Sequence, residues 1–542
     1  MPTYDTLIRD GQVVDGSGNP WRHGDVALLG DRIAEVTPPG LIDPAGAGQV
    51  VDASGLVVSP GFIDIQSQSI MPLMIDGRSV SKITQGVTTE IMGESWTPAP
   101  FGGRRPSPIP NLLFARNHPE WIEHAETWGG FADWLEAMVD RGVSPNIGSF
   151  VGGGTLRGYV LGLEMRDATA DELRSMQRLA AECMEQGALG VAYALIYPPD
   201  AYTNTRELVA VCEEVSRRGG LYVTHMRSEG DEIESALAEA LEIGRRASLP
   251  VEIYHLKASG ERNWHKMAQV IERIDAARAT GLDVTAGMYP YVASGTGLTA
   301  VLPAWAAAGG KLFDNLRDPA TRARIKEEVL TQTGAEERAH TIMPVGLKRP
   351  EHLAFIGKRM DDVAAIRDQH WIDAVMDLLL AEEQHVNTIY FTMSEQNLRL
   401  QAAQPWIKFS SDAGGYDPSW AAEQGPVHPR TYGAFPRVLA EFVREQRLMP
   451  LEEAVRKMTA AVADRIGLRD RGLLRPGMSA DVTVFDPTAI RDHATFEDPH
   501  RLSTGVRHVW VNGQMVLRDG VHTDLTPGRV VRRSGPVRNV AN

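Results

Sequence analysis

The sequence predicts an α/β protein: a (β/α)8 barrel of the TIM type, joined to a small composite β-sandwich built from both ends of the chain. Three observations predict it. From Pro60 onward, eight short apolar stretches alternate with longer helical segments over about 350 residues. β-rich stretches with Gly turns precede and follow this region. Two of the eight stretches, Leu221 to His225 and Val251 to His255, flank a helical segment and each close on a histidine.

The elements follow in order. Leu7 to Gly16 reads as strand broken by Gly turns, and Asp25 to Val36 as a hairpin around Gly30-Asp31. Val50 to Ser59 adds two short strands, so residues 1–59 form the N-terminal part of the sandwich. The eight candidate strands of the barrel are Gly61 to Gln66, Thr88 to Gly93, Asn146 to Val151, Leu189 to Ala194, Leu221 to His225, Val251 to His255, Asp283 to Tyr289 and Trp406 to Ser411. A doubly wound open sheet is the alternative, but no GxGxxG turn follows an early strand. The interval between Tyr291 and about Ile389 is too long for one helical crossover. It is read as an insertion at about 300–350, a substrate lid or a surface subdomain. The barrel thus spans residues 60–466. Strand pattern returns in Asp481 to Asp486 and in a hairpin around Asn512-Gly513, so residues 467–542 supply the C-terminal part of the sandwich and a basic, extended tail from Pro527.

Composition narrows the function classes. At 542 residues the chain exceeds one small core. A hydrophobic content of 43 % with 23 % charged residues is ordinary for a globular protein. A net charge of −15 disfavours nucleic acid and anionic membrane as partners. The two cysteines, Cys183 and Cys212, lie in helix-like segments and make neither a disulfide framework nor a zinc motif. No apolar run approaches the length of a membrane span, and Met1 to Thr6 has no signal-peptide pattern, so the expectation is a cytoplasmic protein; a homo-oligomer stays open.

The unit from Leu221 to Lys257 organises the rest. Apolar residues at helical spacing (Ile233, Ala236, Leu237, Ala240, Leu241, Ile243, Gly244) separate its two strands, which makes those strands parallel neighbours. His225 and His255 then stand at the C-terminal ends of adjacent strands, where chemistry collects in parallel α/β folds. Either imidazole alone is as readily a hydrogen-bonded structural residue. As a pair they suit a transition metal, most often zinc.

The chain resembles the amidohydrolase superfamily and, within it, the N-acyl-D-amino-acid deacylases (D-aminoacylases). The resemblance lies in Val57-Val58-Ser59-Pro60-Gly61-Phe62-Ile63-Asp64, Gly86-Val87-Thr88-Thr89 and Tyr222-Val223-Thr224-His225-Met226-Arg227. It continues in His255-Leu256-Lys257, Tyr289 to Ser294, Ser410-Ser411-Asp412, His428-Pro429-Arg430 and the C-terminal Gly472 to Asp481. It covers nearly the whole chain. It implies a hydrolase that cleaves a C–N amide bond with a zinc-activated water.

Two positions depart from the family pattern. Where the family's first strand ends His-X-His, this chain reads Gln66-Ser67-Gln68. Amides are poor zinc ligands beside imidazole or carboxylate, so one zinc per chain is expected, with a second site weak or absent. Where the family has Gly-Asn-Cys-Gly on strand two, this chain has Gly93-Glu94-Ser95-Trp96. Strict alignment places Ser95 at the cysteine position. Glu94 has the longer reach and the charge, and with His225 and His255 it makes a two-histidine, one-carboxylate set.

The resemblance further implies that Asp412 is the general base, taking a proton from the attacking water and passing it to the leaving amine. A small-molecule substrate bearing an amide and a carboxylate needs cations and donors. The family uses the positions of Lys257, Arg430 and Tyr289 in this way; Arg430 can hold a carboxylate with two hydrogen bonds. Tyr197, after strand four, lines the same pocket, and Gln66 and Gln68 are free to bind substrate instead of metal. A same-mechanism hydrolase of another bond (dipeptide, cyclic amide, lactone or xenobiotic amide) and a metal-free binding homologue stay open at this stage.

Overall fold

The computed structural model describes residues 3–109, 118–332 and 334–534. Residues 535–542, the last part of the tail expected to be extended, lie outside them.

Eight parallel strands position the site: β1 (Phe62–Asp64), β2 (Val87–Met92), β3 (Asn146–Ser149, continued after Phe150 by Val151–Gly152), β4 (Gly190–Ala194), β5 (Leu221–His225), β6 (Val251–Ile253), β7 (Val284–Met288) and β8 (Ile407–Phe409). β1, β2 and the first part of β3 pair in parallel. The second part of β3 starts a six-stranded parallel sheet that runs through β4, β5, β6 and β7 to β8. The free edges of β8 and β1 meet just past their C-terminal ends. There Asp412 N–H donates to the Gln66 carbonyl at 2.9 Å, Gln68 N–H donates to that of Ala413 at 3.0 Å, and Ser67 bridges Ala413 in parallel.

Local sequence explains these elements. Every residue of β5 is buried, as expected of a parallel strand covered on both faces. The helix Ile233–Ala247 buries Ile233, Ala236, Leu237, Ala240, Leu241, Ile243, Gly244 and Ala247, a single stripe at three- and four-residue spacing. Arg245 and Arg246 sit in its last turn, favourable to the helix dipole. The helix Ala170–Glu185 opens with a capping box: Thr169 Oγ1 accepts from Glu172 N, and Glu172 Oε2 accepts from Thr169 N at 2.9 Å.

Strand alternation divides the core in two. Ile63, Ile65, Ile91, Phe150, Ala192, Val223 and Tyr254 pack together on one side of the strands. Val531 from the tail joins them, held by its N–H to the Ile147 carbonyl at 2.8 Å. The other side packs against the helices in the largest apolar cluster of the molecule.

Both ends of the chain meet in one nine-stranded sheet. Val482–Phe485 pairs antiparallel with Val57–Pro60, which joins the C-terminal strands Val506–Val511, Gln514–Arg518 and Val521–His522 to the N-terminal ones. Tyr4–Val13 pairs with Val57–Pro60, Arg22–Leu29 and Ala47–Asp52; Arg32–Thr37 closes that edge.

Between β7 and β8 lies a separate apolar cluster from Leu298 to Val386. A three-stranded antiparallel sheet (Ser294–Gly297, Ile342–Pro344, Asn387–Tyr390) and helices such as Pro319–Thr331 and Trp371–Glu382 accompany it. It runs further than the 300–350 block read from sequence. Among the described residues, no helix is long and apolar enough to cross a membrane.

Candidate metal centre and active site

The C-terminal ends of the parallel strands gather almost every polar residue singled out above. Glu94 leaves β2, His225 ends β5, and His255 follows β6. One ligand atom from each lies within 4.8 Å of the other two, and all three residues are buried. Glu94 Oε1 is 3.3 Å from His225 Nδ1 and 3.5 Å from His255 Nε2. His255 does not continue its strand: at φ 33° it takes a left-handed backbone, which turns the chain after Ile253.

A residue the sequence reading missed completes this cluster. Glu229, in the loop after β5, lies 2.9 Å from His255 Nδ1 and 3.5 Å from His225 Nε2. Lys257 Nζ donates to Glu229 Oε1 and sits 2.7 Å from His255 Nδ1. Burial and the Lys257 cation both oppose a proton on His255, yet the Glu229 and Glu94 carboxylates outweigh them and lift its pKa to about 9. Burial pushes Glu94 upward, but its hydrogen bonds and charge attraction to the two imidazoles carry it well below the usual carboxylate range. An ionised carboxylate facing two imidazole nitrogens, His225 Nδ1 and His255 Nε2, in a buried cluster is a donor set that fits zinc.

Ser95 turns elsewhere. It bears the left-handed φ of 64°. Its hydroxyl neighbours the buried Asp200 carboxyl, whose pKa burial lifts to about 8. Glu94 and Ser95 therefore face different neighbours despite being adjacent in sequence.

Gln66 and Gln68 hold Glu94 from its other oxygen. Both amides donate to Glu94 Oε2, at 2.9 and 2.8 Å. Gln68 Nε2 also donates to Asp412 Oδ1 at 3.1 Å. Asp412 stands past β8, with a left-handed φ of 49°. Its Oδ2 lies 2.8 Å from Arg430 Nη1. The contact is a charge pair rather than an aligned hydrogen bond: Nη1 and Nε of Arg430 are both buried with no hydrogen-bond acceptor. The guanidinium lies over the Tyr289 ring, 4.5 Å from its centre, and Lys257 Nζ is 6.0 Å from the same ring.

His428 fixes the base of Arg430. Its Nδ1 accepts from Arg430 N at 3.0 Å and its Nε2 is 2.8 Å from the Ala293 carbonyl. Burial and the Arg430 charge push its pKa well down, so the ring is neutral, with its proton on Nε2. Tyr197 reaches the cluster from the loop after β4: its ring is 5.5 Å from that of His225, and its hydroxyl meets Thr296 Oγ1 at 2.5 Å. Thr296 belongs to the small sheet between β7 and β8, so that region contributes a residue beside the site. Glu229 carries no periodic signal in sequence, being one polar residue in an irregular loop. His428 was visible in His428-Pro429-Arg430 but had no assigned role.

Known proteins resemble the chain over nearly its whole length. Residues 49–517 match the amidohydrolase family. A D-aminoacylase of Alcaligenes xylosoxydans xylosoxydans is 36 % identical over 532 residues, covering 98 % of both chains. A solved D-aminoacylase, described by the functional role of its binuclear metal centre with one-metal activation and second-metal attenuation, superposes with a TM-score of 0.81 at 33 % identity, covering 98 % of this chain and 100 % of the other. The N-acyl-D-glutamate deacylase of Bordetella bronchiseptica, solved with zinc and a phosphonate mimic of the tetrahedral intermediate, gives a TM-score of 0.80 at 29 % identity, over 98 % and 99 % of the two chains. The chain belongs to the amidohydrolase family, in its D-aminoacylase group.

Proposed function

We propose that this protein is a zinc-dependent hydrolase that deacylates N-acyl-D-amino acids. One observation carries the reading: Glu94, His225 and His255 converge beside Asp412, with the cations Lys257 and Arg430 flanking Tyr289 at the same strand ends. We also infer that the eight strands close into one (β/α)8 barrel, a reading supported by the Ser67–Ala413 bridge. The shared terminal sheet is then a composite domain of residues 1–59 and 467–542, and the barrel spans 60–466 with an inserted subdomain that includes 300–350.

Glu94, His225 and His255 would hold the zinc, whose Lewis acidity polarises an acyl carbonyl and makes a water more acidic. The remaining steps fall to side chains. Asp412 takes a proton from the attacking water and returns it to the departing amine nitrogen. The new C–O bond replaces the C–N bond, leaving a carboxylic acid and a free amino acid. Arg430, with unused N–H donors in a buried site, receives the substrate carboxylate. Lys257 adds positive charge, although Glu229 already neutralises part of it. Tyr289 supplies a flat wall under the guanidinium. Gln66 and Gln68 face the same space, but their amide hydrogens are engaged with Glu94, so we assign them to the metal-side carboxylate before the substrate.

The test is hydrolysis of N-acetyl-D-amino acids by zinc-loaded protein, with the L-enantiomers and with dipeptides, hydantoins and lactones as competitors. Release of free D-amino acid as the fastest reaction is expected; a faster cyclic amide or lactone would overturn the assignment. Elemental analysis should find about one tightly held zinc per chain, because two neutral amides stand where a second metal would need imidazoles. Two tight metals per chain would contradict this.

The carboxylate clamp has its own test. Arg430→Lys keeps the charge but loses the planar fork, and should lower kcat/KM by about 1.5–3 kcal/mol of lost charged hydrogen bonding. A substrate analogue without the carboxylate should show no such penalty.

A further inference from the structure

We propose that Lys82 is a positioning residue for Asp412, holding the residues on both sides of it. The proposal rests on the reading of Asp412 as the general base. Lys82 lies in the short helix Val80–Ile83, outside every motif discussed so far, and its side chain is 0 % exposed. Its ammonium has three hydrogens and three acceptors: Asp64 Oδ2 at 2.5 Å, Ser411 Oγ at 2.6 Å and the Ala413 carbonyl at 2.7 Å. Glu90 stands further off, at 3.6 Å.

The choice of acceptors distinguishes this from an ordinary buried ion pair. A pair that only holds the fold needs the carboxylate. Here two of the three acceptors belong to the residues immediately before and after Asp412. Asp412 itself carries a left-handed backbone, uncommon outside glycine though open to aspartate. Its neighbours are fixed on both sides. Ser411 N–H donates to Asp64 Oδ1 at 3.0 Å, and Ser411 Oγ donates to Asp64 Oδ2 at 2.5 Å. Ala413 N–H donates to Ser411 Oγ at 3.1 Å.

The loop beyond is pinned between Ser69 and the same short helix. Gly415 N–H donates to Ser69 Oγ at 2.8 Å, and Tyr416 N–H to Ser81 Oγ at 2.9 Å. A Cβ at Gly415 would lie 1.8 Å from Ser79 Oγ and 3.2 Å from Lys82 Cγ, so the loop rests directly on the Lys82 stem. The Asp412 carboxylate meets Gln68 and Arg430, while Lys82 reaches its two neighbours, Ser411 through the hydroxyl and Ala413 through the carbonyl.

The experiment is a double-mutant cycle on zinc-loaded protein. In the wild-type background, Lys82→Met should lower kcat by about 100-fold, the cost of displacing a reacting group by about 1 Å, with KM and zinc content unchanged. In the Asp412→Asn background the same substitution should cost almost nothing, because the group it positions no longer works. Lys82→Met leaves Asp64 and Glu90 without their cation and can unfold the chain. Ser411→Ala removes one of the three acceptors without stranding a charge, and should show the same pattern at about tenfold. Equal losses in both backgrounds, a loss confined to KM, or full kcat in folded Ser411→Ala would overturn the proposal. If Asp412→Asn alone leaves the rate untouched, the reading of Asp412 as base fails instead, and the two failures are told apart.

Discussion

Asp412→Asn should slow hydrolysis by about 10²–10⁴-fold while the zinc stays bound. The carboxamide nearly matches the carboxylate in size, so the loop after β8 keeps its packing. It cannot accept a proton at working pH, and that loss appears in kcat. The Arg430 contact also changes. In the free protein Arg430 Nη1 lies 2.8 Å from Asp412 Oδ2, so the base and the substrate's carboxylate compete for one guanidinium. Removing the charge frees Arg430, and KM for an N-acyl amino acid should fall or hold steady while kcat collapses. Zinc content by elemental analysis, with kcat and KM from steady-state rates, checks all three statements. An Asp412→Asn enzyme of undiminished rate would remove the mechanism proposed here.

Much of this arrangement was legible in the residues, and the parts that were not have physical reasons. The strand–helix–strand unit around Ile233–Ala247 announced itself because burial on one helical stripe leaves a period in the sequence. His225 and His255 were legible for the same reason: strand ends are countable. Strand lengths were overestimated where function bends the backbone. Val251 to His255 looks like one strand, yet the regular strand ends at Ile253 and His255 turns left-handed. Trp406 to Ser411 likewise shortens to Ile407–Phe409. The region between β7 and β8 read as shorter than it is because its apolar residues come from many brief elements whose common cluster forms only in three dimensions. Glu229 and Lys82 had no period, motif or spacing to mark them. Their roles depend on which side chains a loop and a four-residue helix bring together, and that is decided by packing.

His225→Ala and His255→Ala should each strip the zinc and abolish turnover, because a three-donor site cut to two holds metal weakly. Glu94→Gln is the more informative substitution. Glu94 divides its oxygens: Oε1 faces the two imidazoles, and Oε2 accepts from Gln66 and Gln68. A glutamine there keeps the shape but loses the anion. Its carbonyl oxygen can still accept from both Gln66 and Gln68, so its NH2 is turned to the imidazoles where the anion stood. Zinc affinity should therefore fall steeply in Glu94→Gln and further in Glu94→Ala. Ser95→Ala should keep its zinc, since the chain turns left-handed at Ser95 and its hydroxyl neighbours Asp200. Chelator competition measured on the five variants decides the ligand set independently of turnover. If Ser95→Ala loses the metal while Glu94→Ala retains it, the serine is the ligand and the carboxylate only shapes the site. Should both keep it, the two histidines must draw their third donor from Glu229, the remaining acid that approaches both imidazoles.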